Sequence, residues 1–221
     1  MKLQANALIN TDYYLGLSGL SSLESSRTDF IVSTINAVSN MFEKICNRPL
    51  KAKTYDYAPT IIVNNVETAN PDYDEKYSIF DGIAGTEFYF PTYPVNSITT
   101  LLVNDVEVIA ATDYEDLTGY HLYNSRGKIV YYGGFYEGYN RNVKIKWNGG
   151  YSATSPEMEE LKFLCYTMVN TVINTPANPN LQSEKIGNYS YTNYAPNVIK
   201  ELQGLNPSVF TGLRRYRKEV I

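Results

Sequence analysis

Apolar residues recur at two different periods along this chain, and the change of period divides it. Ile31, Ile35, Val38, Phe42 and Ile45 follow one another at alternating steps of four and three. That spacing lays one apolar face along a helix of about 20 residues. Ser26-Arg27-Thr28-Asp29 has the spacing of a capping box at its start, with Asp in place of the usual Glu. Asn47-Arg48-Pro49 stops it, because proline cannot continue the hydrogen-bond ladder. Upstream, Thr11 to Leu17 reads as a brief helix capped by Thr11 or Asp12 and ended by Gly16. The Ser-rich stretch Ser18 to Ser25 then reads as a linker.

From about Lys53 to Gly150 the pattern shifts to short β-branched and aromatic runs bounded by Gly, Pro, Asn and Asp. Strands are predicted at Thr60–Val66, Glu87–Phe90, Ile98–Val103, Tyr120–Tyr123, Lys128–Tyr132 and Asn142–Trp147. In the last, Val143, Ile145 and Trp147 alternate with Lys144 and Lys146, as a half-exposed strand should. After Gly149-Gly150 the helical period returns. Ser155-Pro156-Glu157 is a helix start, with a Ser cap, Pro at the first helical position and acids near the positive dipole end. Met158, Leu161, Cys165, Met168 and Val172 form its apolar stripe, and Asn174-Thr175-Pro176 ends it. Two shorter helices fit Pro196–Leu202 and Pro207–Val220, the second capped by Asn206.

Composition narrows the function classes. With 221 residues, 43% hydrophobic and 19% charged, the chain can fill a packed core and does not read as disordered. A net charge of −4 weighs against a free-standing DNA-binding domain. Tyrosine is abundant, at 21 residues, and suits β-surfaces and interfaces. Cys46 and Cys165 lie among apolar residues and read as buried, reduced thiols. The first residues lack the apolar stretch of a signal peptide, and no run reaches the ~20 apolar residues of a membrane span. The expectation is a soluble protein made in a reducing cytosol.

Candidate chemistry is sparse. His121 stands alone in a predicted strand, and no Cys–His pair has metal spacing. Asp72, Asp74 and Glu75 could suggest calcium, but the sixth-position Gly and twelfth-position Glu of an EF-hand are missing. Asp113, Glu115 and Asp116 read the same way, as a solvated acidic loop. Phosphate-cradling glycine patterns and Gly-x-Ser-x-Gly are absent. The expectation is a non-enzyme with no catalytic residue, no cofactor and no metal.

Charge and loops say more. The stretch from Leu205 to the C-terminus holds Arg214, Arg215, Arg217 and Lys218 against Glu219 alone, leaving 15 basic and 22 acidic groups elsewhere. That basic end suits an acidic partner or nearby nucleic acid, and cations also favour a helix C-terminus. The Tyr-rich segment Ser183 to Tyr191 lies in a predicted loop from Asn174 to Ala195, longer than loops of compact domains usually run.

Several segments, in order, resemble the head–tail connector (adaptor) proteins of long-tailed bacteriophages and gene-transfer agents. They are Ala7-Leu8-Ile9 with Asp12-Tyr13-Tyr14-Leu15-Gly16-Leu17, the helix end Ile45-Cys46-Asn47-Arg48-Pro49-Leu50, and Phe90 to Ile98. Gly127-Lys128-Ile129-Val130, leading to Asn142-Val143-Lys144-Ile145, Gly149-Gly150-Tyr151 and Pro156-Glu157, is the most specific part. Ser183 to Ser190 resembles the family's post-helix loop. Arg214-Arg215-Tyr216-Arg217 resembles its tyrosine–arginine–arginine ending, in altered order.

The resemblance implies a structural virion protein of the neck, made in the host bacterial cytoplasm. Such adaptors form a homo-oligomeric ring, usually of about twelve copies, between the portal protein and the stopper or tail-completion protein. DNA passes through the channel they extend without sequence-specific binding, during packaging and genome ejection. No membrane is involved. The implied fold is α+β: a small helical bundle of about four to five helices, with a β-rich module inserted between the second and third. The parts are 1–52, N-terminal helical; 53–150, β-module; and 151–221, C-terminal helical with a basic tail. Leu213, Arg214, Arg215, Tyr216, Arg217 and Lys218 are then candidates for portal docking or proximity to DNA. Glu184, Lys185, Tyr189, Tyr191 and Tyr194 are candidates for a subunit-interface or tail-side loop. The β-module is larger than in many relatives, which leaves its role open.

Other readings compete. Tyr-rich strands suggest a carbohydrate- or surface-binding β-module on a helical support. A stopper is a rival within the neck, but stoppers are expected to be mainly β-barrels. An enzyme using Asp72, Asp74 and His121 would need those side chains to converge in a pocket.

Overall fold

The computed structural model of the chain describes residues 2–19, 25–82, 85–135, 141–174 and 206–218. By internal packing the chain divides into two units, Met1–Leu50 with Ala153–Ile221, and Lys51–Ser152.

The first unit is built on two long helices, α2 (Ser25–Cys46) and α4 (Pro156–Asn174). α1 (Thr11–Ser18) precedes them, capped by Asn10, whose side chain accepts from the Tyr13 amide, and closed by Gly19 in the left-handed conformation. Of the predicted α2 stripe, Ile31, Ile35, Val38 and Phe42 are buried and Ile45 is half-buried. The buried face is wider than that stripe, because Val32, Met41 and Cys46 join it. Asn47 ends the helix at φ 55, a conformation Asn tolerates better than most residues. α4 buries Met158, Leu161, Cys165, Met168 and Val169, and the Ser155 hydroxyl caps it by accepting the Met158 amide at 3.2 Å.

α2 also buries Thr34, Asn36 and Ser39. Two of these polar side chains receive the irregular N-terminal segment, which turns at Ala5-Asn6. Asn36 Oδ1 accepts the Gln4 amide at 2.9 Å, and the Ser39 hydroxyl accepts the Leu8 amide at 3.0 Å. A short helix, α5 (Pro207–Leu213), buries Val209, Phe210 and Leu213. The predicted helix over Pro207–Val220 thus ends early, in a 3₁₀ turn over Arg214–Tyr216 and extended backbone at Arg217. The predicted helix Pro196–Leu202 lies outside the described residues.

The second unit is β-rich. Its strands are β1 (Lys53–Tyr55), β2 (Thr60–Val63), β3 (Val66–Ala69), β4 (Ile79–Phe80), β5 (Glu87–Tyr89), β6 (Val95–Val103), β7 (Val106–Glu107), β8 (Tyr120–Tyr123), β9 (Lys128–Tyr131) and β10 (Val143–Gly149). One helical turn, α3 (Glu75–Ser78), sits among them. They form a five-stranded sheet ordered β1-β10-β6-β7 with β4 also beside β10, a three-stranded sheet β5-β9-β8, and the hairpin β2-β3. All the ladders are antiparallel.

β10 shows the alternation its sequence predicts, with Val143, Ile145 and Trp147 buried and the lysines between them half-exposed. Trp147 stacks on Tyr55 with ring centroids 4.7 Å apart, packs on Phe90 at 4.5 Å, and donates its indole N–H to the Tyr77 carbonyl at 2.7 Å. Just past β10, Gly150 takes φ 107, and a Cβ there would lie 2.5 Å from the Lys51 carbonyl oxygen.

These arrangements overturn the expected helical bundle with an inserted β-module. The chain is mixed α+β, with five helices and three antiparallel sheets among the described residues, and the helices do not form a bundle. A bundle needs several long helices facing one core. Among the described residues only α2 and α4 exceed two turns or so, α3 belongs to the β-rich unit, and part of α2 is covered by irregular, non-helical chain. Among the described residues, no helix is long and apolar enough to cross a membrane.

Candidate functional site

The C-terminal basic segment folds back onto the ends of α2 and α4. Leu213 and Tyr216 are buried. The Tyr216 hydroxyl donates to Glu160 Oε2 at 2.6 Å, and Arg215 pairs with the other oxygen of the same carboxylate. Glu160 lies in the second turn of α4, so a single acid holds two residues of the tail. On the α2 side, the buried Arg48 donates through Nε to the Tyr216 carbonyl at 2.8 Å. The Lys218 amide donates to the Cys46 carbonyl at 2.8 Å. Asn47-Arg48-Pro49 is therefore more than a helix stop, because ending α2 there turns Arg48 towards the tail.

Burial and nearby charge shape the titration of this clasp. Burial pushes the Cys46 thiol up to about 11, against the opposing pull of Arg48. Burial, reinforced by Arg48, lowers the Lys218 ammonium below its ordinary range. Of the six predicted docking residues, Leu213 and Tyr216 serve as internal anchors and Arg215 is paired with Glu160. The Arg214 and Arg217 side chains are exposed, and Lys218 is half-buried. Glu184, Lys185, Tyr189, Tyr191 and Tyr194 lie outside the described residues.

A second candidate surface is the outer face of the β5-β9-β8 sheet. Strand alternation puts Phe88, Ile129 and Leu122 towards the core. It puts Tyr89, Lys128 and Tyr123 side by side on the other face, where register sets Tyr89 and Tyr123 opposite Lys128. The Lys128 ammonium lies 5.9 Å from the Tyr89 ring centroid and 5.0 Å from that of Tyr123. It also pairs with Glu87 at 2.7 Å, and that bond is the main reason its pKa is raised. Glu87 is lowered in turn, first by Lys128 and then by the Tyr89 hydroxyl. Further along the face, His121 sits edge-on between Tyr114 and Tyr132, at 6.4 and 6.2 Å. Tyr89, Tyr114, Tyr123 and Tyr132 are all exposed.

The acidic candidates take structural roles. Asp74 stands just before α3, where its carbonyl accepts the Tyr77 amide at 3.1 Å and its carboxylate pairs with Lys53 at 3.2 Å, while Glu75 pairs with Arg141 at 2.8 Å. The Asp72 carbonyl accepts the Asp56 amide. His121 is engaged elsewhere, with its Nε2 2.7 Å from the Asp116 carbonyl oxygen. The Asp116 carboxyl is held well below its ordinary range, first by the Thr118 hydroxyl and then by the Thr112 and Thr118 amides. Among the described residues, no group of three His, Cys, Asp or Glu could hold a metal ion.

Sequence reasoning missed the Tyr89–Lys128–Tyr123 row and the roles of Arg48 and Glu160. The row was findable, because Glu87-Phe88-Tyr89, Lys128 to Tyr132 and Tyr120 to Tyr123 all alternate at period two. The clasp was not, because nothing local announces a contact spanning 168 residues. Set against protein-family models and against curated proteins, the chain matches none.

Proposed function

We propose that this chain is a structural adaptor of a bacteriophage neck. It forms one subunit of a ring between the portal and the stopper or tail-completion protein, extending the DNA channel. The observation that carries this reading is the meeting of two segments that bear the resemblance. Ile45 to Leu50 and Arg214 to Arg217 are far apart in sequence, yet Arg48 and Cys46 bond directly to Tyr216 and Lys218. A tail held in this way presents Arg214 and Arg217 in a fixed place, which suits docking on an acidic portal surface. The excess of acids elsewhere keeps the body from gripping DNA it must let pass.

Mass photometry of the protein with the portal encoded beside it tests this. Deleting the tail would remove Leu213 and Tyr216 from the core, so the informative variant is Arg214→Glu with Arg217→Glu. A ring-sized mass gain with the wild type, lost in the variant, supports both the role and the tail. A gain that survives the variant keeps the role and removes the tail from docking. No gain at any salt or protein concentration refutes the adaptor.

The exposed aromatic face favours a second reading, a carbohydrate- or surface-binding module. Tyrosines flanking a charge-balanced Lys–Glu pair offer apolar surface with polar rims, as neutral sugars require. Glycan-array binding that is lost in Tyr89→Ala and Tyr123→Ala would favour this reading. A silent array would remove it.

A further inference from the structure

Among the described residues, β2 and β3 pair only with each other. Their ladder runs from Thr60 opposite Ala69 to Val63 opposite Val66, and Asn64 and Asn65, at φ 52 and 62, make the turn. A lone two-stranded hairpin is marginal in water without a third strand or a surface to lie on. This one is open nearly throughout, with Ile62 69% and Val66 59% exposed. By register, Ile61, Val63 and Val66 share one face. The usual guards of an exposed strand are missing from it, since neither strand contains Lys or Pro. The single charge, Glu67, sits on the other face, where it accepts the Thr60 hydroxyl at 2.8 Å.

The same unit has a second opening of matching chemistry. β7 forms the edge of the five-stranded sheet. Val106 pairs opposite the buried Val103, so it continues the core's apolar surface out to the rim, where it is 66% exposed. Ile109, just beyond, is 65% exposed. Glu107 pairs opposite Leu102 and so points to the other side of the sheet. Within one chain neither opening covers the other, since both are exposed. A contact between two copies, the hairpin of one on the rim of the next, covers both with β-branched side chains and keeps both acids out of it. Such a contact is heterologous, each copy offering one hairpin and one rim.

We propose that the β2–β3 hairpin is a docking arm that seats on the β7 rim of a second copy of this chain. The inference stands on these two elements and not on the neck reading. Its test uses this chain alone, so it can fail while portal binding succeeds, and the reverse.

The test is sedimentation velocity of the full chain from micromolar to sub-millimolar concentration, with three samples beside the wild type. One carries Val63→Lys and Val66→Lys, which stand opposite each other on the apolar face, one carries Val106→Lys, and the third is their equimolar mixture. All three positions are exposed, so melting temperatures should hold. Should the lysine arm variant melt early, Val63→Thr with Val66→Thr replaces it. The wild type is expected to self-associate with rising concentration, and each variant alone to associate about tenfold more weakly or worse. The mixture is expected to recover association but stop at the dimer, because only one intact arm and one intact rim remain in each pair. A wild type that stays monomeric throughout overturns the proposal. So do variants that associate like the wild type, and a mixture no better than its components.

Discussion

Replacing Tyr216 by Phe removes one hydroxyl from the C-terminal clasp and leaves the buried ring in place. That hydroxyl donates to Glu160 Oε2 at 2.6 Å. A hydrogen bond to a charged acceptor contributes about 1.5–3 kcal/mol when well buried. Here the Glu160 side chain is 35% exposed and shares its charge with an open arginine, so water can take over part of the bond. The expected loss is therefore about 1–1.5 kcal/mol by urea unfolding. In a Glu160→Gln background the same substitution should cost about half as much, and the double-mutant cycle reports the difference as coupling. Tyr216→Ala, which also empties a buried ring site, should cost about 3–5 kcal/mol. The Lys218 amide offers a local readout, because its acceptor is the Cys46 carbonyl at 2.8 Å. Its hydrogen exchange should speed up in Tyr216→Phe beyond what global destabilisation explains. A Tyr216→Phe variant within about 0.3 kcal/mol of wild type, with Lys218 exchange unchanged, would refute the clasp as an energetic element.

Other outcomes follow from single sites. Burial alone would raise the Asp56 carboxyl, but the Ala58 amide, Lys146 at 2.7 Å and Asn70 outweigh it and hold the group below its ordinary value. A carboxyl depressed in the folded state stabilises at neutral pH, and that contribution fades as pH falls through the carboxylate range. Asp56→Asn should thus cost about 1–3 kcal/mol at pH 7, less than a fully buried pair because Lys146 is partly exposed, and flatten the acid limb of stability against pH. Burial pushes the Cys165 thiol up to about 12, so iodoacetamide at pH 8 should label it only as fast as the chain unfolds. Gly150→Ala should lower the melting temperature by an amount equivalent to about 2 kcal/mol or more, since both the φ of 107 and the Lys51 carbonyl oppose a Cβ.

Local rules located most elements. The four-and-three stripe found α2, the Ser155 cap found the start of α4, and strict alternation found β10. The errors share a cause, which is that local pattern does not report partners. Thr60–Val66 reads as one β-branched run, but Asn64 and Asn65 both take positive φ and fold it into a hairpin. Asp74 and Glu75 look like loop acids and instead open a helical turn. The bundle failed because apolar periodicity ignores Asn36 and Ser39, the polar side chains through which irregular chain, and not another helix, covers part of α2. The aromatic row on the outer sheet face was readable from alternation, whereas the clasp depended on Arg48 and Glu160 finding partners far along the chain.

The pairing of α2 with α4 has a consequence for synthesis on the ribosome. About 110 residues separate Cys46 from Met158. At roughly 5–20 residues per second, α2 emerges some 5–20 s before its partner begins to appear. The contiguous stretch Lys51–Ser152 is complete before then and can fold on its own contacts. The Ile31–Phe42 face meanwhile waits without α4 to cover it. Chaperone capture of nascent chains should therefore peak while 51–152 is being translated and fall once α4 clears the exit tunnel.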